Sequence, residues 1–140
     1  MGLKNQKLNQ LFSLLRSYLK HYLPLERKLS DNTIRAYGKA LELFFDYIKA
    51  IKRVPLHKVT FEMIDRNILS AFLDYLESER NCSKTTRNHR LTIIRAFYAF
   101  AAESDITVVA HYEEILKVAS ARVDEKLIEH MSEEAVKAII

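Results

Sequence analysis

Apolar residues return at three- and four-residue steps in four separate stretches of the chain, the spacing of helices that bury one face. Leu8, Leu11, Phe12, Leu15, Tyr18, Leu19 and Tyr22 predict a first helix over residues 6–22. Pro24 is expected to end it, because the residue before a proline is pushed toward extended backbone. Ile34, Tyr37, Leu41, Phe44, Phe45, Ile48 and Ile51 predict a second helix over about 31–52. Ser30 is its expected cap, and Asp31 suits the positive end of its dipole. Thr60 reads as the cap of a short turn that ends near Ile64, and Ile68, Leu69, Phe72, Leu73 and Leu76 predict a third helix over 66–80. Leu91, Ile94, Phe97, Tyr98 and Ala101 predict a fourth over 84–103, capped by Ser83. Beyond Glu103 the pattern weakens to Val108, Val109, Ile115, Leu116 and Val118, a loop and a short helix that lead into a linker around 119–130. Ser132 then caps the start of a further helix. The expected organisation is a helical domain over 1–105, a short helix and linker over 106–130, and the truncated opening of another domain over 131–140.

The fourth helix carries a second pattern. Lys84, Asn88, Thr92 and Arg95 stand four, four and three residues apart and form a polar stripe rotated away from the apolar one. From Arg80 through Ala102, both included, there are five Lys and Arg and no Asp or Glu. Surface helices usually mix signs, because opposite charges one turn apart stabilise them by a few tenths of a kcal/mol. A helix of one sign forgoes that gain and points to an anionic partner. The plainer reading, a solvated face, stands beside it. The first helix has the same ambiguity: Lys7, Arg16 and Lys20 suit a membrane surface or a partner's groove, and a first core helix explains them equally well.

Composition narrows the class. Two glycines and two prolines in 140 residues are too few for a sheet protein's turns or a disordered tail, and a hydrophobic fraction of 49% supports an all-α core. Gly38 in mid-helix costs about 1 kcal/mol against alanine, which leaves either a close approach by a neighbour or a neutral accident. The net charge of +4 is laid out in blocks. Residues 1–60 hold 12 Lys and Arg against 4 Asp and Glu, residues 61–80 hold 2 against 5, and residues 103–140 hold 4 against 9. One cysteine, Cys82, excludes an internal disulfide and fits a reducing cytoplasm. The chain shows no secretory signal and no apolar run of transmembrane length, so no membrane partner is expected. The five histidines, with Cys82, are too scattered for a metal site. No glycine-rich phosphate loop is present, so neither cofactor nor small-molecule ligand is expected. Tyr18, Tyr37 and Tyr98 sit on apolar stripes and read as core, not as nucleophiles.

Three motifs in order carry a resemblance. Ser30, Thr33 and Tyr37, followed by Leu41, Phe44 and Tyr47, resemble the second helix of the N-terminal core-binding domain of phage integrases, the tyrosine site-specific recombinases. Ser83, Thr86, Asn88, Arg90, Leu91, Ile94, Arg95, Ala96, Phe97, Tyr98, Phe100 and Ala101 resemble that domain's last core helix, and Met131 to Ala135 resembles the opening of the catalytic domain. The resemblance implies a SAM-like bundle of four main helices, one half of a clamp on double-stranded DNA at a recombination half-site. The second and fourth helices then face the major groove. It also implies that the catalytic residues lie in the missing catalytic domain, so that this stretch is no enzyme by itself, and that neighbouring recombinase protomers are partners, a weak contact through residues 6–22 among them. The competing reading is a helical protein-interaction module that does not bind DNA.

The expected DNA-contact residues are Thr33 and Arg35 on the second helix and Lys84, Thr85, Arg87, Asn88, Arg90 and Arg95 on the fourth. Lys84 stands where the helix dipole favours phosphate. Arg87 and Arg90 are expected to reach either the DNA backbone or a carboxylate of the acidic third helix. Asn88 has the donor and acceptor that pair with adenine. Arg95 suits guanine or phosphate, or an internal ion pair with Glu62, Asp65 or Glu103.

Overall fold

The computed structural model describes residues 9–123. The helical start expected at residues 6–8, the expected linker from 124 on and the helix expected from Ser132 lie outside them. The described chain holds five α-helices: α1 (Gln10–Ser17), α2 (Asp31–Lys52), α3 (Arg66–Ser78), α4 (Lys84–Ser104) and α5 (Val109–Leu116). Short 3-10 turns, Leu56–Lys58, Phe61–Met63 and Ile106–Val108, link them, and there is no strand among the described residues. The fold is all-α, as the periodicity predicts.

The caps explain the helix starts. Ser30 accepts from the Thr33 amide at 3.2 Å and Ser83 from the Thr86 amide at 3.1 Å. Asp65 caps α3 through the Ile68 amide at 2.8 Å, and Asn9 caps α1 through that of Phe12 at 2.8 Å. Each side-chain oxygen satisfies an amide that the first turn leaves without a partner. Thr60 precedes its 3-10 turn but makes no such side-chain bond.

The first helix departs from expectation at Pro24. The chain does not stop before the proline; it widens into π-helical turns over Tyr18–Glu26, with Pro24 inside. Proline in an α-helix strikes the carbonyl one turn back and removes a donor. A wider turn moves that carbonyl, and the backbone bonds around it lengthen in register, Arg27 N–H to Tyr22 at 2.8 Å and Leu29 N–H to Leu23 at 3.1 Å. The corners that follow use left-handed backbone at residues other than glycine: Lys28 at φ 52°, Arg53 at φ 56° and Asn81 at φ 55°.

α4 is the centre. It packs against α1, α2, α3 and α5, and Leu91, Ile94, Phe97, Tyr98 and Ala101 are fully buried along it. Phe97 meets Tyr18, Phe45 and Phe61 with ring centroids 5.5, 6.1 and 6.4 Å apart. Phe72 of α3 closes the same core on Phe44 at 5.0 Å. Burial pushes the Tyr18 and Tyr98 phenols well above their ordinary value, which fits their reading as core. Tyr37 is half-buried.

The segment after α4 joins this body. Gln10 donates to the Asp105 carboxylate and, at 2.7 Å, to the Thr107 hydroxyl, which ties the start of α1 to the 3-10 turn. Val108, Ile115 and Val118 are buried, whereas Val109 and Leu116, read in the sequence as apolar positions of the same kind, are exposed. Gly38 faces open space: a Cβ added there meets nothing within 4 Å, so no close approach requires the glycine.

Candidate nucleic-acid interface

The first turns of α4 meet the end of α3. Lys84 Nζ lies 2.9 Å from Glu77 Oε1. Arg87 is buried against the same carboxylate, its Nε 2.9 Å from Glu77 Oε2 and its Nη2 4.0 Å from Asp74. The Nε–H does not point along that line, and neither Nε nor Nη1 has a hydrogen-bond partner among the described residues. Of the two destinations expected for Arg87, this is the acidic helix. The hydrogen bond from Lys84, then the charges of Lys84 and Arg87, hold Glu77 below the usual carboxylate range. Lys84 keeps 54% of its side chain exposed, so its ammonium still faces solvent.

Further along α4 the polar stripe turns inward. Asn88 Nδ2 donates to the Ala121 carbonyl at 2.8 Å, and its Oδ1 accepts from the Ala121 amide at 2.7 Å. Arg95 Nη2 donates to the Val118 carbonyl, with the Leu116 carbonyl at 3.5 Å. The internal partners of Arg95 are therefore carbonyls at the end of α5, not the carboxylates of Glu62, Asp65 or Glu103. A side chain that donates to the last carbonyls of a helix is a known way to satisfy them. Within the described residues, one donor and one acceptor of the Asn88 amide and the Nη2 of Arg95 are thus engaged by the chain's own backbone.

The open face of this half of α4 is Thr85, His89 and Thr92, all exposed. His89 and Thr92 were not among the residues expected from sequence. The signal was available: 85, 89 and 92 stand at helical steps opposite the Leu91, Ile94 and Tyr98 face. Arg90 is half-buried and makes no hydrogen bond or ion pair among the described residues.

On α2 the contacts are local. Thr33 Oγ1 accepts from the Ser30 hydroxyl at 2.9 Å, and Arg35 Nη1 donates to Asn32 at 3.2 Å. Neither shares a hydrogen bond or ion pair with the α4 set. Arg35 and Lys39 are exposed on the rim of a groove of about 620 Å³ between the first two helices, floored by Leu15, Leu19, Leu41 and Phe45. Arg16, Lys20 and His21 are exposed on the first helix. No group of His, Cys, Asp and Glu that could hold a metal ion occurs among the described residues, and no helix there is long and apolar enough to cross a membrane.

Residues 15–105 match the N-terminal SAM-like domain of phage integrases. The chain belongs to that family. The chain is 30% identical over 127 residues to the Sinorhizobium fredii protein y4rD, whose name describes it as an integrase/recombinase, covering 91% of this chain and 45% of that protein. It is 28% identical over 120 residues to the tyrosine recombinase XerD of Oceanobacillus iheyensis, covering 86% of this chain and 38% of that one. The chain thus spans less than half the length of these relatives. No solved structure matches it.

Proposed function

We propose that this SAM-like domain binds duplex DNA as the core-binding half of a tyrosine recombinase clamp, seated on a recombination half-site. Strand cleavage and rejoining then belong to a catalytic domain outside residues 1–105, and residues 131–140 are its opening. The observation that carries this reading is the surface of α4. A stripe of Thr85, His89 and Thr92 is exposed along the helix, and Lys84 and Arg90 lie on its two flanks. Threonine serves either a base edge or a thymine methyl, and the lysine ammonium suits phosphate. On α2, Arg35 and Lys39 add exposed cations, with Thr33 at the rim. The family match over residues 15–105 supports the same reading.

Titration of a labelled duplex with the 140-residue chain over a range of salt concentrations tests it. Half a clamp makes few phosphate contacts, so the expected Kd is about 10⁻⁴–10⁻⁶ M at physiological salt, falling steeply as salt is lowered. Lys84→Ala is expected to weaken binding about equally on all sequences and to lower the salt slope by about one. Binding that ignores salt, or none at low salt, refutes the proposal. The same chain on a nicked half-site is expected to leave no covalent adduct.

A further inference from the structure

Asn88 and Arg95 stand on one flank of α4, and both bind backbone of the segment that follows α5. Asn88 brackets Ala121 with both atoms of its amide, as a neighbouring strand would. Arg95 holds the carbonyls of Leu116 and Val118, which the end of α5 leaves without amides. Val118 is buried between these two attachments. Both side chains stand beside the open Thr85, His89 and Thr92 stripe.

The geometry points to a tether. We propose that Asn88 and Arg95 are positioning residues that fix the chain where it leaves the helical body, so that whatever follows departs beside the open stripe of α4 and not from the end of α5. The ligand of this polar flank is the chain's own backbone over residues 116–121. An amide side chain recognises a single peptide unit with a matched donor and acceptor, and this recognition is independent of the side chains on the bound segment. Under the clamp reading, on which the consequence for DNA rests, a catalytic domain would hang from the same helix that meets the duplex. Movement of α4 on DNA would carry that point of departure with it.

The tether is measured without DNA, so its failure and the failure of DNA binding are separate results. Amide hydrogen exchange is followed at Ala121 in the 140-residue chain and in Asn88→Ala and Asn88→Asp. The Ala121 amide is expected to exchange at least tenfold faster in Asn88→Ala. Asn88→Asp keeps an acceptor for that amide but sets a second carboxylate oxygen against the Ala121 carbonyl, so faster Ala121 exchange is expected in this variant as well. In both variants α3 is expected to exchange as in the parent. A second measurement places spin labels at Thr92→Cys and Val123→Cys in a Cys82→Ser background. The distance distribution is expected to be narrow, and to broaden when Asn88→Ala and Arg95→Ala are added together. Unchanged Ala121 exchange in Asn88→Ala, or a parent distribution already broad, overturns the proposal.

Discussion

The two halves of α4 are held by different physics. From Phe97 to Ala101 the helix is an apolar hub whose rings pack on Tyr18, Phe45 and Phe61. From Lys84 to Arg95 its outer positions are held by named polar partners: Glu77 for Lys84 and Arg87, Ala121 for Asn88, Val118 for Arg95. Dispersion and burial fix the first half without regard to direction. The second half has a buried apolar side too, at Leu91, Ile93 and Ile94, but hydrogen bonds and the Arg87–Glu77 ion pair hold its outer positions and also choose what lies beside it. The difference teaches that a polar stripe is not by itself an open surface. On this helix several of the most functional-looking side chains in the sequence are occupied, whereas Thr85, His89 and Thr92 are open.

The largest test of the contrast is Phe97→Ala. Removing a ring from a fully buried hub is expected to cost about 3–5 kcal/mol in denaturant unfolding; a loss under about 1 kcal/mol would mean that the apolar half does not hold the body together. Tyr98→Phe is expected to act in the opposite direction by a smaller amount. The Tyr98 hydroxyl is buried with no hydrogen-bond partner among the described residues, so deleting it relieves an unmet donor. A gain of up to about 1 kcal/mol is expected, and a clear loss of stability would reveal a partner for that hydroxyl.

The smallest effect concerns the polar half and appears in acid. Glu77 is held below its ordinary pKa of 4.5. A carboxyl lowered on folding contributes stability that is present above the unfolded value and lost as pH falls through the folded one. Glu77→Gln is therefore expected to flatten the fall in melting temperature below about pH 4.5. Asp105, lowered by bonds from Thr107 and Gln10, and Glu62, lowered first by a backbone hydrogen bond and then by His111, keep part of that fall in place. An acid limb identical to the parent's would mean that Lys84 and Arg87 do not hold Glu77 in solution.

What was legible in the sequence was local. Ser30 and Ser83 cap α2 and α4 as the spacing predicts, because a cap and its amide lie three residues apart. Leu41, Phe44, Phe45 and Ile48 are buried because periodicity alone decides their face. Pro24 was misleading: its rule assumes an α-helical turn, and the chain adopts a wider one. Asp65, named from the sequence as an ion-pair partner for Arg95, caps α3. The partner of Asn88 was not legible, since it lies 33 residues away and is a backbone group that leaves no mark in composition. Arg95 could be read as internal, but carboxylates stand out in a sequence and carbonyls do not.

Lys28, Arg53 and Asn81 close three corners in left-handed backbone, in a chain that has only two glycines. Glycine at these corners would relieve the native backbone, and it would also give the unfolded chain more conformations to lose on folding. The native strain is accordingly offset in the denatured ensemble, where a chain with few glycines is stiffer. Two of the corners also place an exposed cation at a helix end. Replacing Lys28 or Arg53 with glycine thus changes surface charge, native strain and unfolded-state entropy together, and a stability measurement on such a variant reports their sum.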